Sequence, residues 1–250
     1  MRRYKKVMTK LRLHLLILFC VFKISFFAQT QPGTRGNLQP YYEYKVNFGF
    51  YLGFNRTNFL VTTVHDYQAV AGDSLKSILS SPQTGFNLGI VSELRLQEYM
   101  TLRFLPDIAF GERDLEYHFA SSRDTFDIVK KVESTFIDFP LDLKVRSKRL
   151  GDFAAYMVGG GKYTLDLASQ KDVNNGTVTS AQQVVKLGKS DFAYEVGAGT
   201  DFFLPYFKFG IELKLSMGLK NLLIKDNTIY AQSLDRLNSK VFLVSLTFEG

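Results

Sequence analysis

The chain has 250 residues, 46% of them hydrophobic and 14% aromatic, with no Trp, a single Cys and a formal charge of +7. Seven of its 31 Lys and Arg lie in the first 28 residues, which hold no acid, so the remainder carries 24 basic against 24 acidic residues. That balance removes the electrostatic argument for nucleic acid or anionic lipid as a partner, and Cys20 as the one thiol excludes a disulfide framework.

Residues 1–28 read as an export signal. Arg2, Arg3, Lys5, Lys6, Lys10 and Arg12 form a basic stretch, Leu15 to Phe22 an apolar one, and a cut is expected after Ala28. Bulky Phe26 and the interrupting Lys23 leave an uncleaved anchor as the alternative, although the run is shorter than the ~20 apolar residues a spanning helix needs. Residues 29–43 are expected as a periplasmic N-terminal segment and 44–249 as the folded domain. Past residue 28 no stretch approaches a spanning helix, so a membrane location demands a closed barrel.

From residue 44 onward a period of two dominates, as in strands with two unlike faces. In the first segment Tyr44, Val46, Phe48, Phe50, Leu52 and Phe54 alternate with Lys45, Asn47, Gly49, Tyr51 and Gly53. The second sets Phe86, Leu88, Ile90, Leu94 and Leu96 against Asn87, Gly89, Glu93 and Arg95. The third sets Met100, Leu102, Phe104, Ile108 and Phe110 against Arg103 and Asp107. The fourth opposes Ile137, Phe139, Leu141, Leu143 and Val145 to Asp138, Asp142, Lys144 and Arg146. In the fifth, Tyr163, Leu165 and Leu167 alternate with Lys162, Thr164 and Asp166, and Gly159 to Gly161 predict a bulge or a close side-chain approach. The sixth opposes Phe192, Tyr194, Val196, Ala198 and Phe202 to Glu195, Gly197, Gly199 and Asp201. The seventh runs from Phe207 to Leu219, with Lys208, Glu212 and Lys214 on its polar face, and Phe242, Val244, Leu246 and Phe248 mark the eighth.

Eight segments of this length fit tilted membrane strands and predict an eight-stranded antiparallel transmembrane outer-membrane β-barrel. The links after segments two, four and six are short, and those after one, three, five and seven are long. This predicts four long extracellular loops and both termini in the periplasm. Asp73 to Ser80 is expected to hold a turn or two of helix, and 112–130 and 169–188 are expected as loops. A soluble barrel of the lipocalin kind would show the same alternation with the sense reversed. Gly49, Gly53, Gly89, Gly197, Gly199, Gly210 and Gly218 lie on the polar face and argue for the membrane sense, because glycine makes room inside a narrow barrel.

The polar faces then supply a lumen network of Lys45, Arg95, Arg103, Lys144, Arg146, Lys162, Lys208 and Lys214 with Glu93, Asp107, Asp138, Asp142, Asp166, Glu195, Asp201 and Glu212. Eight charges of each sign suggest a plug of ion pairs, since buried charge is tolerable only when paired. Asp138 and Asp142 share a face, but the cations Lys144 and Arg146 beside them favour a salt-bridge role over acid/base chemistry. His65 and His118 read as loop histidines without a ligand role. The chain has no nucleophile motif, phosphate loop or metal spacing, so no enzyme, cofactor or small-molecule substrate is inferred.

The fourth to seventh segments carry a more specific wording. Glu133-Ser134-Thr135-Phe136-Ile137-Asp138-Phe139-Pro140-Leu141, then Arg146-Ser147-Lys148-Arg149-Leu150, Gly160-Gly161-Lys162-Tyr163 and Asp166-Leu167-Ala168-Ser169 resemble the PorT family. So do Tyr194-Glu195-Val196-Gly197, Leu204-Pro205-Tyr206-Phe207-Lys208 and Asn221-Leu222-Leu223. The resemblance, densest over 133–223, implies an outer-membrane component of the type IX secretion system of the Bacteroidota, called SprT in gliding species. It implies a non-enzymatic part in protein secretion and gliding, with outer-membrane lipid and other secretion proteins as partners. Lys148 and Arg149, at a periplasmic turn, are the candidate contact. The alternative is a stand-alone barrel that binds an extracellular ligand or surface through its long loops.

Overall fold

The computed structural model describes residues 37, 38, 41, 44–70, 74–120, 124–171, 173, 175–177 and 183–250. The expected signal, 1–28, and most of 29–43 lie outside the described residues. Nine strands follow in chain order: β1 Val46–Thr63, β2 Leu75–Arg95, β3 Met100–Phe104, β4 Asp107–Ala120, β5 Thr125–Arg146, β6 Phe153–Asp166, β7 Ser190–Phe203, β8 Lys208–Gly218 and β9 Leu234–Glu249. All pairings are antiparallel, and each strand pairs with the next in sequence apart from the β3–β4 break described below. The ring closes where β9 returns to β1, from Gly49↔Glu249 up to Thr63↔Leu234. Among the described residues no helix is long and apolar enough to cross a membrane.

The ring counts as eight strands because β3 and β4 are one strand interrupted at Leu105 and Pro106. Both pieces keep a single register against β2, Ser92↔Phe104 and Gly89↔Asp107. The cause is proline chemistry: Pro106 and, across from the break, Pro140 of β5 offer no N–H to the ladder. The carbonyls remain in use, with the Ile90 N–H donating to the Pro106 oxygen at 3.0 Å and the Leu105 N–H to the Pro140 oxygen at 3.2 Å.

The alternation has the membrane sense. Phe48, Phe50, Leu52 and Phe54 of β1 are exposed on the outer wall, with Leu88 and Ile90, Leu141, Val196 and Leu213 in the same belt, while Asn47, Tyr51, Asn55 and Thr57 point inward and are buried. Further along the same strands the inward row changes chemistry. Phe59, Ile78, Leu115, Tyr117, Phe119 and Leu237 are buried there, and Val185, Leu187, Leu222, Leu223 and Tyr230 pack onto them from the loops. The barrel therefore has a polar interior within its apolar belt and a hydrophobic core beyond it, as a water-exposed domain would have.

The two ends differ. Residues 96–99, 147–152 and 204–207 make the short links of one end, here the turn end. At the other, the loop end, the connection expected as a loop over 112–130 is instead hairpin: β4 and β5 pair continuously to Ala120↔Thr125, leaving 121–124 as the link. Inward Leu115, Tyr117 and Phe119 explain this, because they bury apolar surface that a polar loop could not. The helix expected within Asp73 to Ser80 is also displaced. The short helix α1 is Tyr67–Val70, and Leu75 to Ser80 are strand paired with β4. The β1–β2 ladder stops at Thr57↔Gln83, above which β1 stays with β9 and β2 with β4. Ser80 ties the parted walls: its hydroxyl accepts from the Phe59 N–H at 3.1 Å and donates to Asn58 Oδ1 at 2.5 Å. A second short helix, α2 (Ile229–Gln232), is capped by Thr228, whose hydroxyl oxygen accepts from the Ala231 N–H.

Candidate functional site

The lumen is filled by one connected chain of ion pairs. Nearest the turn end, Lys208 Nζ lies 2.8 Å from Glu93 and 2.7 Å from Glu249. Glu93 also holds Lys144 at 3.3 Å and Arg103 at 3.1 Å, and Lys144 continues to Asp201 at 2.7 Å. Arg103, with no exposed side-chain surface, reaches Glu212 at 2.6 Å. Glu212 meets Lys214 at 3.5 Å, and Lys214 bonds Asp142 at 2.5 Å and Glu195 at 3.4 Å. Lys162 closes the run, 3.6 Å from Glu195 and 2.9 Å from Asp138. Tyr156 lies beneath Lys144, whose Nζ is 3.9 Å from the ring centroid. Gly199 makes room for that ring, since a Cβ there would meet the tyrosine at 2.5 Å. At Gly159 to Gly161 the strand register is unbroken and the close approach is at Gly160, where a Cβ would collide with Asp142.

Above this run neutral donors take over. The Tyr51 hydroxyl donates to Asp107, which also accepts from Asn87 Nδ2 at 3.0 Å, and Asn55 donates to Asn87 Oδ1 at 2.7 Å. Arg113, 1% exposed, is sandwiched between Phe59 and Phe136, 4.2 and 5.0 Å from the ring centroids, and its Nη2 donates to Ser134 at 3.0 Å. Arg113 lines a cavity of about 40 Å³ whose walls include Asp138, Asp166 and Asp191, room for about three waters. The hydrophobic core of the loop end follows. The loops that seal it are pinned by Asn175, whose amide donates to the Val184 carbonyl at 2.9 Å and to Asp226 at 2.7 Å. The Asn175 donation to Asp226, with Lys186 at 3.0 Å, holds the Asp226 carboxyl below the usual carboxylate range.

The turn end is stopped by residues ahead of β1. Tyr41 is buried, and its hydroxyl accepts from Lys208 at 2.7 Å while lying 2.9 Å from Glu249 and 3.0 Å from Glu93, the two acceptors for its single proton. Its ring packs edge-on against Phe203. The Asn37 N–H donates to Asp152 at 2.8 Å, and Arg149 donates to the Asn37 carbonyl at 2.5 Å and pairs with Asp152 at 2.7 Å. The Asn37 N–H first, then Arg149, keeps the Asp152 carboxyl below its ordinary range.

Of the residues expected in the lumen, Glu93, Arg103, Asp138, Asp142, Lys144, Lys162, Glu195, Asp201, Lys208, Glu212 and Lys214 are brought together. Asp107 and Asp166 are buried and hydrogen-bonded to neutral donors, Asp107 to Tyr51 and Asn87 and Asp166 to the Ala168 N–H at 3.0 Å. Lys45, Arg95 and Arg146 do not enter the network. They have the lumen-side parity but lie one step beyond the last buried ring, Lys45 exposed and the two arginines half-buried. Arg146 donates to the Glu98 carbonyl at 2.6 Å. Lys148 is exposed, whereas Arg149 is engaged within the chain, stacked 4.1 Å from the centre of the Phe203 ring. The even balance of charge is corrected too. Among the described residues the connected run has five cations and seven carboxylates, Glu249 being one that the alternation of β9 could have revealed. Arg113 lies in a segment whose inward row turns apolar and so lacks the polar alternation of the other strands, and Tyr41 has no sequence signal at all. His118 Nδ1 lies 2.5 Å from Asp127 across the β4–β5 hairpin and His65 is exposed; no metal-binding group of three is found among the described residues.

A closed ring with an apolar wall and paired charges inside is what a lipid bilayer requires of strands. Solved outer-membrane barrels are similar in fold. OprG from Pseudomonas aeruginosa is 10% identical, with 82% of this chain and 92% of that one covered and a TM-score of 0.43. Neisserial surface protein A is 9% identical over 80% and 95%, with a TM-score of 0.40. Ail from Yersinia pestis is 10% identical over 83% and 100%, with a TM-score of 0.35. No match is found among curated proteins. The profile of the outer membrane protein beta-barrel domain matches residues 27–223, most of the length of the chain, and the chain belongs to that outer-membrane family.

Proposed function

We propose that this barrel is a non-conducting component of a type IX protein secretion system, an accessory or assembly part and not the conduit. The observation that carries the second half is the sealed interior: Tyr41 at one end, the ion-pair run through the belt, and the hydrophobic core at the other. The first half is supported by the resemblance of 133–223 to the PorT family. On this reading residues 1–28 are a cleaved export signal, the turn end and both termini face the periplasm, and the loop end is extracellular. Its partners are outer-membrane lipid and other secretion proteins; it takes no nucleic acid and no small-molecule substrate.

The test is an in-frame deletion in the native host, with proteins of the medium compared with those held in the periplasm. Unprocessed cargo accumulating in the periplasm, with other outer-membrane proteins at normal levels and gliding lost in a motile host, is the expected result. An unchanged secretome would sink it. A second reading, a barrel that binds an extracellular ligand or surface, is favoured by the packing of Val185, Leu187, Leu222, Leu223 and Tyr230 of α2 into one core, which makes the loop end a folded platform. That reading predicts lost surface binding with normal secretion in the same strain.

A further inference from the structure

We propose that the turn-end mouth is a docking site for an acidic segment of a partner protein, held by Lys45, Arg95, Arg146 and Lys148. These cations follow one another around an arc of the rim. The Arg95 N–H donates to the Lys45 carbonyl at 2.8 Å, so the residue ahead of β1 and the last residue of β2 lie side by side. Thr101 of β3 pairs with Arg95 on one side and Lys144 on the other, so Arg146, two residues on from Lys144, lies across β3 from Arg95 and one step further toward the turn end, and the next turn presents Lys148.

The direction of these side chains selects the partner. Lys45, Arg95 and Arg146 share parity with the buried Asn47, Glu93 and Lys144, so they lie on the lumen side of the ring at the turn-end mouth. Arg95 and Arg146 line a cleft of about 20 Å³ there, together with buried Lys144 and Lys208 and their carboxylate partners Glu93 and Asp201. The outward positions at the same level, Val46, Leu94 and Val145, are apolar and exposed, so lipid headgroups around the wall meet no cation from these strands.

No carboxylate among the described residues pairs with Lys45, Arg95 or Lys148. The neighbouring acids are already committed: Glu93 and Asp201 to buried lysines, and Asp152 to Asn37 and Arg149. Among the described residues of this rim, exposed Glu98 is the other acid, and Arg146 engages its backbone carbonyl. The facing arc, Leu204 to Phe207, is uncharged. A rim positive on one side and neutral on the other steers and orients an acidic chain.

The inference rests on the secretion reading only for the compartment and machinery that supply the partner. The test uses the mature chain in phosphatidylcholine nanodiscs and a fluorescein-labelled decaglutamate peptide, followed by fluorescence anisotropy. Saturable binding that weakens at high salt is expected, about tenfold weaker in the triple variant Lys45→Gln, Arg95→Gln, Lys148→Gln and unchanged in Lys171→Gln, Arg236→Gln at the loop end. Equal affinity in the triple variant would overturn the proposal. So would equal binding of a decalysine probe to the parent protein, a control that needs no variant, or loss of the decaglutamate signal when the nanodisc contains phosphatidylglycerol, which would assign the arc to lipid. Because this binding is read without cells, its failure leaves the deletion-strain result standing, and an unchanged secretome leaves the binding result standing.

Discussion

Lys208 is the residue on which the turn-end mouth depends, because Glu93, Glu249 and Tyr41 all converge on its ammonium group. Lys208→Met leaves two buried carboxylates without their shared cation and is expected to cost about 3–5 kcal/mol. Tyr41→Phe removes one hydroxyl from the same cluster and is expected to cost about 1–3 kcal/mol. Urea unfolding of the refolded barrel measures both, and a smaller loss for Lys208→Met than for Tyr41→Phe would contradict this account. At the loop end, Asp226 carries a pH dependence of known sign. Its folded-state carboxyl is held below the ordinary value by Asn175 and Lys186, so its contribution is present above the unfolded-state value of about 4 and is lost as pH falls through the folded value. The Val184 amide, which donates to Asn175 at 3.0 Å, is expected to shift in the NMR spectrum on acidification, and Asp226→Asn should abolish that shift.

At the scale of the element, one strand serves two solvents. The outer face of β1 carries Phe48 to Phe54 in the apolar belt and ends in Thr62 beyond it, while its inner face passes from Asn47 and Tyr51 to Phe59. The pleat never changes; only the medium on each side does. Leu52→Arg places a cation in the belt and is expected to cost about 2–4 kcal/mol, whereas Thr62→Arg on the same face is expected to be near neutral. Folding free energies in phosphatidylcholine vesicles separate the two, and equal costs would mean that the belt extends to the end of the strand. Leu115→Ala, in the fully buried core beyond the belt, is expected to lose about 2–5 kcal/mol.

For the whole molecule the consequence is closure. An eight-stranded ring is just wide enough for side chains to fill, and here long charged chains occupy it through the belt while apolar ones seal its loop end. Planar bilayers holding the refolded protein are expected to show no steady conductance. Sustained ohmic steps would require the Lys214 and Arg103 bridges to open, and would remove the argument against a conduit.

The sequence by itself determined the strand number, the strand sense and most of the interior charges, because a period of two with glycines on one face is a local property of the chain. It also placed short links around Gln97 and Glu98, from Ser147 to Asp152 and around Leu204 and Pro205, where the turns of the structure lie. What lay beyond local pattern needed the closed ring. Whether an inward charge such as Arg95 is inside or at the rim depends on how far its strand rises relative to its neighbours, which is set by register. The hairpin over 107–146 was masked because its inward face turns apolar above the belt, mixing the two alternations. Tyr41 enters the network from outside any strand, and its partners Glu93, Lys208 and Glu249 are separated from it by between 52 and 208 residues. Contacts of that range arise only when the first and last strands meet, and so the seal at the turn end belongs to the tertiary structure alone.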